Sequence, residues 1–321
     1  MVKALRAARA GGPEVLEYVD IDVADPGPGE IRLRHGAIGV NFIDTYHREG
    51  VYPGSGFPRV LGVEGAGEVT AVGDGVKGLK PGSRVCYPLG PGSYCDERVI
   101  RADLTVPVPD GVSDDAAAAG ITKGITVHHL FTRVRQVNKG DWVLFHAAAG
   151  GLGLLACQWA RHLGVKLIGT VSSDAKAKLA TDHGAAEVID YTKEDFVERV
   201  KAITGGAGVT LAVDGIGGDN PKKSAQCLAL YGTLTTIGQA AGASTFTLDD
   251  LPPSVNYTKG SIASLLGRLD QLQESAAAFF DLVAKGTIKI DVNHVYALKD
   301  GAQAHADLQA RKTTGSIILK P

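Results

Sequence analysis

The stretch Asp141-Trp-Val-Leu-Phe-His-Ala-Ala-Ala-Gly-Gly-Leu-Gly153 constrains this chain most. An apolar run ends in small residues and glycines, and a helical pattern from Leu154 to Leu163 follows at once. A strand that turns tightly into a helix reads this way. The first N–H groups of such a helix lack intrahelical partners, and the helix dipole favours an anion beside them. A dinucleotide pyrophosphate fits that need. The spacing is Ala148-x-Gly150-x-x-Gly153, so Ala148 replaces the first glycine of the usual fingerprint.

The flanking pattern agrees with that reading. Strands are expected at Trp142–His146, Lys166–Val171, Glu187–Asp190, Val209–Asp214 and Thr233–Gly238, with helices such as Ala175–His183 and Lys193–Thr204 between them. That alternation predicts a parallel, doubly wound α/β sheet. The first 120 residues read differently. Val15–Val23, Glu30–Val40, Gly65–Val72, Arg84–Tyr87 and Tyr94–Ile100 are short β-type runs separated by glycine- and proline-rich turns. Asn41–Glu49 is expected as one short helix. Ser113 is a fitting N-cap for a longer one, with Asp114 and Asp115 in its first turn. After Gly260 come an amphipathic helix (about Asp270–Lys285), a strand (Thr287–Val295), a helix (Lys299–Arg311) and a last strand (Ser316–Leu319). The pattern leaves open whether these extend the sheet or return to the first domain.

Bulk properties exclude several classes. Hydrophobic residues make up 44% and charged residues 21% of 321, as in ordinary soluble domains. A formal charge of −2 gives no reason to expect nucleic acid or an anionic membrane as partner. No apolar run approaches the roughly 18 residues of a membrane span, and the N-terminus has no secretory pattern. Four cysteines (Cys86, Cys95, Cys157, Cys227) lie scattered without a Cys-x-x-Cys. That suits a reducing cytoplasm and argues against a disulfide framework or a structural zinc knuckle.

The second strand of the sheet points to the type of dinucleotide. An acid at its end would accept the ribose 2′-hydroxyl, whereas hydroxyl and basic groups suit a 2′-phosphate. Here it ends Gly169-Thr-Val-Ser-Ser-Asp-Ala-Lys176. Ser172 stands where the acid is expected, and Lys176 follows within reach of a phosphate. Tyr191, closing the third strand, is placed to lie against the adenine edge. NADPH is therefore favoured. The alternative is that Ser172 and Ser173 only cap the helix and Lys176 is solvated. Asp174 is the awkward residue, because turned inward it would repel a 2′-phosphate and favour NAD.

Four motifs together carry a family resemblance. They are Gly39-Val-Asn-Phe-Ile-Asp-Thr-Tyr46, Gly62-Val-Glu-Gly-Ala-Gly-Glu-Val-Thr-Ala-Val-Gly73, Lys123-Gly-Ile-Thr-Val127 and Phe145-His-Ala-Ala-Ala-Gly-Gly-Leu-Gly153. With them the chain resembles, over essentially its full length, the quinone oxidoreductase (zeta-crystallin-like) group of the medium-chain dehydrogenase/reductase superfamily. The resemblance implies a β-rich GroES-like catalytic domain (1–122 and 263–321) and a Rossmann cofactor domain (123–262). It also implies a homodimer. Zinc enzymes of the superfamily carry Gly-His-Glu, whose His binds the catalytic metal. Val63 occupies that position here, and Asn41 stands for a zinc-type cysteine. A catalytic zinc needs three good ligands and an open position. Of nine histidines, the adjacent His128 and His129 point to different faces of a helix. No metal is therefore expected, and Glu64 reads as a structural carboxylate.

Without a Lewis acid, hydride transfer needs an acceptor that is already electrophilic. The resemblance implies NADPH-dependent reduction of a quinone bound between the two domains. Reduction of α,β-unsaturated carbonyls, and a non-catalytic NADPH-binding, crystallin-like protein, are the alternatives. By the resemblance, Asn41 sits near the nicotinamide ribose and the acceptor, and Tyr46 and Tyr52 line the acceptor pocket. Tyr52 reads equally as a loop aromatic. Thr126 is expected on the nicotinamide side, or else as a helix-interior threonine bonded to its own backbone. Gly150, Gly151, Leu152 and Gly153 cradle the pyrophosphate, and Ser172, Ser173, Lys176 and Tyr191 hold the adenosine half. Gln239 lies in the carboxamide region, and Arg311 resembles a family arginine near the cofactor, or is solvated. Leu265 and Leu266 replace more polar residues of relatives, which implies a more apolar acceptor pocket or a loop that sits differently. No general acid stands out.

Overall fold

In a computed structural model, residues 1–52 and 56–321 are described. The chain forms two compact units, one of Met1–Ile125, Ala263–Ala284 and Ile290–Pro321, the other of Thr126–Ile262 with Lys285–Lys289.

The first unit opens with β1 (Val2–Ala7), β2 (Leu16–Ile21), β3 (Glu30–Val40), α1 (Phe42–Arg48), β4 (Arg59–Val60), β5 (Glu64–Val72), β6 (Arg84–Tyr87), β7 (Glu97–Arg101) and β8 (Val106–Pro107). The helix α2 (Asp114–His129) follows, its first turn capped by Ser113 Oγ, which accepts the Ala116 N–H. In the second unit come β9 (Trp142–Phe145), α3 (Gly151–Leu163), β10 (Lys166–Val171), α4 (Asp174–Asp182), β11 (Glu187–Asp190), α5 (Phe196–Ile203), β12 (Val209–Asp214), α6 (Asn220–Ala225), β13 (Leu228–Thr236) and β14 (Asn256–Lys259). The chain then returns to the first unit with α7 (Leu269–Ala284), β15 (Val292–Ala297), α8 (Gly301–Gln309) and β16 (Ser316–Lys320).

In the first unit β3 is the organising strand. It pairs antiparallel with β5, β7 and β16, in a seven-stranded sheet ordered β15-β16-β3-β5-β6-β8 with β7 also on β3. The sequence left the C-terminal return undecided; β16 settles it by pairing Ile318 with Gly39. One face packs Leu5, Ile38, Val40, Leu61 and Tyr94 against Ile317 and Leu319, and Ile31, Leu33, Val69 and Val85 form a second core. Helices α2 and α7 meet closely, because a Cβ on Gly124 would stand 2.3 Å from the Phe279 ring.

In the second unit the six strands are parallel and ordered β11-β10-β9-β12-β13-β14. The order reverses at β9, so the crevice for a ligand opens at the carboxyl end of that strand. Leu144, Ile168, Ile189, Ala212 and Leu234 fill the core beneath it.

Some expected boundaries shift. The helix expected at Lys193 begins only at Phe196, because Asp195 caps it by accepting the Val197 and Glu198 N–H groups. The strand expected at Thr287–Val295 is Val292–Ala297, since Lys285–Lys289 belongs to the second unit, where Lys289 exchanges two hydrogen bonds with Gln158. Tyr94 precedes rather than begins β7, and strands β1, β4, β8 and β14 were not among the expected strands. Among the described residues no helix is long and apolar enough to cross a membrane.

Candidate active site

Asn41 stands where β3 gives way to α1. Its extended backbone makes it the N-cap, and Asp44, three residues on, accepts the Asn41 N–H at 2.8 Å. The Asn41 side-chain Nδ2 donates to Glu64 Oε1 at 2.6 Å. An ionised carboxylate only accepts, so the amide nitrogen must face it. Glu64 opens β5 opposite Gly39, and there is no room for a Cβ at Gly39, which would lie 2.2 Å from Glu64 Oε1. Lys123 Nζ also donates to Glu64 Oε1, at 3.0 Å, and the Thr122 N–H donates to Oε2 at 3.0 Å. Glu64 is fully buried and the Lys123 side chain is 8% exposed. Both carboxylate oxygens are thus engaged, and the charge is paired inside the unit. Val63, beside Glu64, is buried and offers no donor atom.

Behind this pair runs a second buried chain. Arg48 Nη1 donates to His305 Nδ1 at 3.0 Å, which leaves the imidazole proton on Nε2. Nε2 then donates to the Tyr94 hydroxyl at 2.9 Å, and that hydroxyl donates to Asp44 Oδ2 at 3.0 Å. Burial, with Arg48 nearby, holds His305 down at about 3. Burial pushes the Asp44 carboxyl up to about 7 against the hydrogen bonds from Asn41 and Tyr94, and the charge of Glu64 adds to the rise. Burial likewise drives the Tyr94 hydroxyl well above its ordinary range. Asp44 Oδ1 is buried without a hydrogen-bond partner.

Tyr46, on α1, is buried with its ring 5.1 Å from that of Tyr52. Tyr52 is half-buried and also meets the edge of His47, and burial raises its hydroxyl. Tyr46 and Tyr52 are therefore gathered toward the C-terminal end of α1, whereas Asn41 caps its N-terminal end. Of the two leucines, Leu265 is buried and Leu266 is 40% exposed, both in a short 3₁₀ segment, Ile262–Gly267.

In the second unit the loop after β9 carries the glycines. Gly150 is the N-cap of α3, and the Leu154 N–H makes the bond to the Gly150 carbonyl. The N–H groups of Gly151, Leu152 and Gly153 precede that first helical bond. A Cβ on Gly153 would stand 2.5 Å from Ala148 Cα and 2.6 Å from the Ala147 carbonyl oxygen. Ala147 takes a left-handed φ of 55°, a conformation tolerated where a turn must be this tight. The fit to a pyrophosphate rests on this cradle. Ser172 directly follows β10, and Ser173 caps α4 by accepting the Lys176 N–H. Tyr191 is 42% exposed, and its N–H donates to the Val171 carbonyl, which joins the ends of β10 and β11. Thr126 is partly buried in α2, and Gln239 lies beyond β13 beside Gly217, where a Cβ would meet Gln239 Cα at 2.9 Å. Arg311 is exposed, has a left-handed φ of 59°, and belongs to the first unit.

Sequence reasoning passed over Lys123, Asp44, Tyr94 and His305 as site residues. Only Asp44 had a local signal, the N-cap plus three spacing. His128 packs on Trp159, and among the described residues no three His, Cys, Asp or Glu side chains are grouped to hold a metal.

Two family models match: an alcohol dehydrogenase GroES-like domain over residues 27–110 and a zinc-binding dehydrogenase domain over 151–282. The chain is 45% identical to a quinone oxidoreductase of Pseudomonas aeruginosa, with 100% of each chain covered. The chain belongs to the quinone oxidoreductase group of the medium-chain dehydrogenase/reductase superfamily. A solved member of that group, the quinone oxidoreductase of Escherichia coli complexed with NADPH, superposes with a TM-score of 0.96 at 42% identity, covering 99% of this chain and 100% of the other. A further relative is a 2-haloacrylate reductase from a Burkholderia species, 40% identical, with 100% of this chain and 99% of the relative covered. Like these relatives the chain is an oxidoreductase with a GroES-like and a Rossmann-type portion.

Proposed function

We propose that this protein is an NADPH-dependent quinone reductase that works without zinc. The observation that carries the reading is the buried Glu64 cluster. The carboxylate beside Val63 is saturated by Lys123, Asn41 and the Thr122 N–H, and an ammonium supplies the counter-charge there. The similarity to quinone oxidoreductases over the full length, one of them complexed with NADPH, supports the same reading.

NADPH, when bound, supplies the hydride. The first unit is the catalytic domain and the second the cofactor domain. Gly150, Gly151, Leu152 and Gly153 hold the pyrophosphate on the start of α3. Ser172, Ser173, Lys176 and Tyr191 take the adenosine end, with Lys176 on the 2′-phosphate. Thr126 and Gln239 bound the nicotinamide side, and Arg311 approaches the cofactor. Asn41 orients the acceptor, and Tyr46 and Tyr52 form its walls. A quinone already carries conjugated, electron-poor carbonyls, so position and dryness replace a Lewis acid. Its reduction takes up one hydride and one proton, the proton coming from water. A homodimer acting in the cytoplasm completes the proposal; the exposed Leu230, Tyr231 and Leu248 and four free, buried cysteines are in keeping with it.

A second reading, reduction of an activated carbon–carbon double bond, is favoured by the similarity to the 2-haloacrylate reductase. NADPH oxidation followed over a panel of small quinones and a panel of enones and haloacrylates decides between them. Faster turnover of the quinones, unchanged by a strong chelator, is expected. Turnover abolished by chelation and restored by zinc overturns the metal-free mechanism.

A further inference from the structure

We propose that Lys193 sets the preference for NADPH by cancelling the charge of Asp174. This inference rests on the NADPH reading above and adds to it a residue outside the nucleotide-binding set. Asp174 is the first residue of α4, directly after Ser172 and Ser173. A carboxylate in that place opposes a 2′-phosphate, which carries close to two negative charges at neutral pH. Left bare, it is also an acceptor suited to the 2′-hydroxyl of NADH.

The carboxylate is not left bare. Lys193 Nζ donates to Asp174 Oδ1 at 2.5 Å and lies 3.4 Å from Asp190 Oδ2. Lys193 comes from the turn after β11, where its own N–H donates to the Asp190 carbonyl. Asp190 is otherwise committed, since Oδ1 accepts the Thr192 N–H at 3.1 Å and the Thr192 hydroxyl at 2.7 Å. The Tyr191 N–H to Val171 bond holds this turn beside the end of β10. The ion pair therefore ties together the two loops that carry Ser172, Lys176 and Tyr191. Its charges balance locally, two carboxylates (Asp174, Asp190) against two ammoniums (Lys176, Lys193). Removing Lys193 leaves one negative charge in excess at the mouth of the 2′-phosphate site. Both members of the Lys193–Asp174 pair are largely exposed, 58% and 88% of their side chains, so the pair contributes little to folding and its loss should be felt mainly by the ligand.

The test is isothermal titration of NADPH, NADH, 2′,5′-ADP and 5′-AMP into the wild type, K193Q, D174N and K193Q/D174N, at low and high salt. K193Q is expected to weaken NADPH and 2′,5′-ADP by about five- to ten-fold at low ionic strength and by less than about two-fold in high salt, as suits an exposed charge. NADH and 5′-AMP should hold or tighten in K193Q. The double variant should bind NADPH within about two-fold of D174N alone, because the Asp174 charge that Lys193 cancels is then absent and Asp190 keeps its two hydrogen bonds from Thr192. The same loss on K193Q in the D174N background would overturn the inference, since Lys193 would then act on the phosphate directly. An unchanged NADPH affinity in K193Q overturns it while leaving the NADPH reading intact. A wild type that binds 2′,5′-ADP no better than 5′-AMP removes both.

Discussion

Lys123 Nζ and the Asn41 side-chain amide converge on the same oxygen of Glu64, at 3.0 and 2.6 Å. A buried ion pair of this kind adds little net stability over an apolar pair, but breaking it leaves a charge with no partner. Lys123→Met should therefore cost about 3–5 kcal/mol in urea unfolding at neutral pH. The charge-neutral Lys123→Met/Glu64→Gln variant should recover most of that loss. Equal losses in the single and double variants would show that packing rather than charge is at stake.

Asn41 is held from two sides, its backbone by Asp44 and its side chain by Glu64. If the amide orients the acceptor, Asn41→Ala should lower quinone turnover by about 10- to 100-fold while NADPH affinity changes by less than about three-fold. Asn41→Asp should be worse, because it sets a second carboxylate against Glu64. Steady-state kinetics beside NADPH titration separates the two effects. A loss confined to NADPH binding would move Asn41 to the cofactor's side alone.

Asp44 and His305 shape the pH dependence of stability in opposite senses. The Asp44 carboxyl is raised from 3.8 to about 7 by burial, so the folded state keeps a proton that the unfolded state gives up. Its contribution is full below pH 3.8 and is lost as pH rises through 7. His305 is lowered from 6.5 to about 3, so its contribution is full above pH 6.5 and is lost as pH falls toward 3. Between these limits the two offset each other. Asp44→Asn should therefore gain on the wild type as pH is raised from 4 to 8, by up to a few kcal/mol. His305→Gln should gain on it as pH is lowered from 7 to 4. Chemical denaturation across that range reads both, and parallel curves for all three proteins would refute the assignment.

The two glycines of the phosphate loop should differ. A Cβ on Gly153 collides with backbone at 2.5 Å, whereas at Gly150 the nearest atom is the Ala147 carbonyl oxygen at 3.3 Å. Gly153→Ala should lower stability by about 1–3 kcal/mol and weaken NADPH by more than ten-fold. Gly150→Ala should do markedly less to folding. Thermal unfolding with and without NADPH measures both, and equal effects would mean that the loop shifts freely.

Much of this molecule is legible in one dimension because its signals are local. The glycine loop, the alternation of strand and helix after Asp141, the placement of Ser172 and Tyr191 at strand ends and that of Lys176 in the first turn of a helix all follow from residues within a turn of one another. The relationships that complete the candidate site are of another kind. Glu64 meets Lys123 across 59 positions, Tyr94 meets His305 across 211, and Arg48 meets His305 across 257. Even Lys193 finds Asp174 only because parallel pairing of β10 and β11 sets their ends side by side. Periodicity and capping decide where strands and helices form. Which charges are buried together depends on how those elements pack, and neither spacing nor composition encodes that on its own.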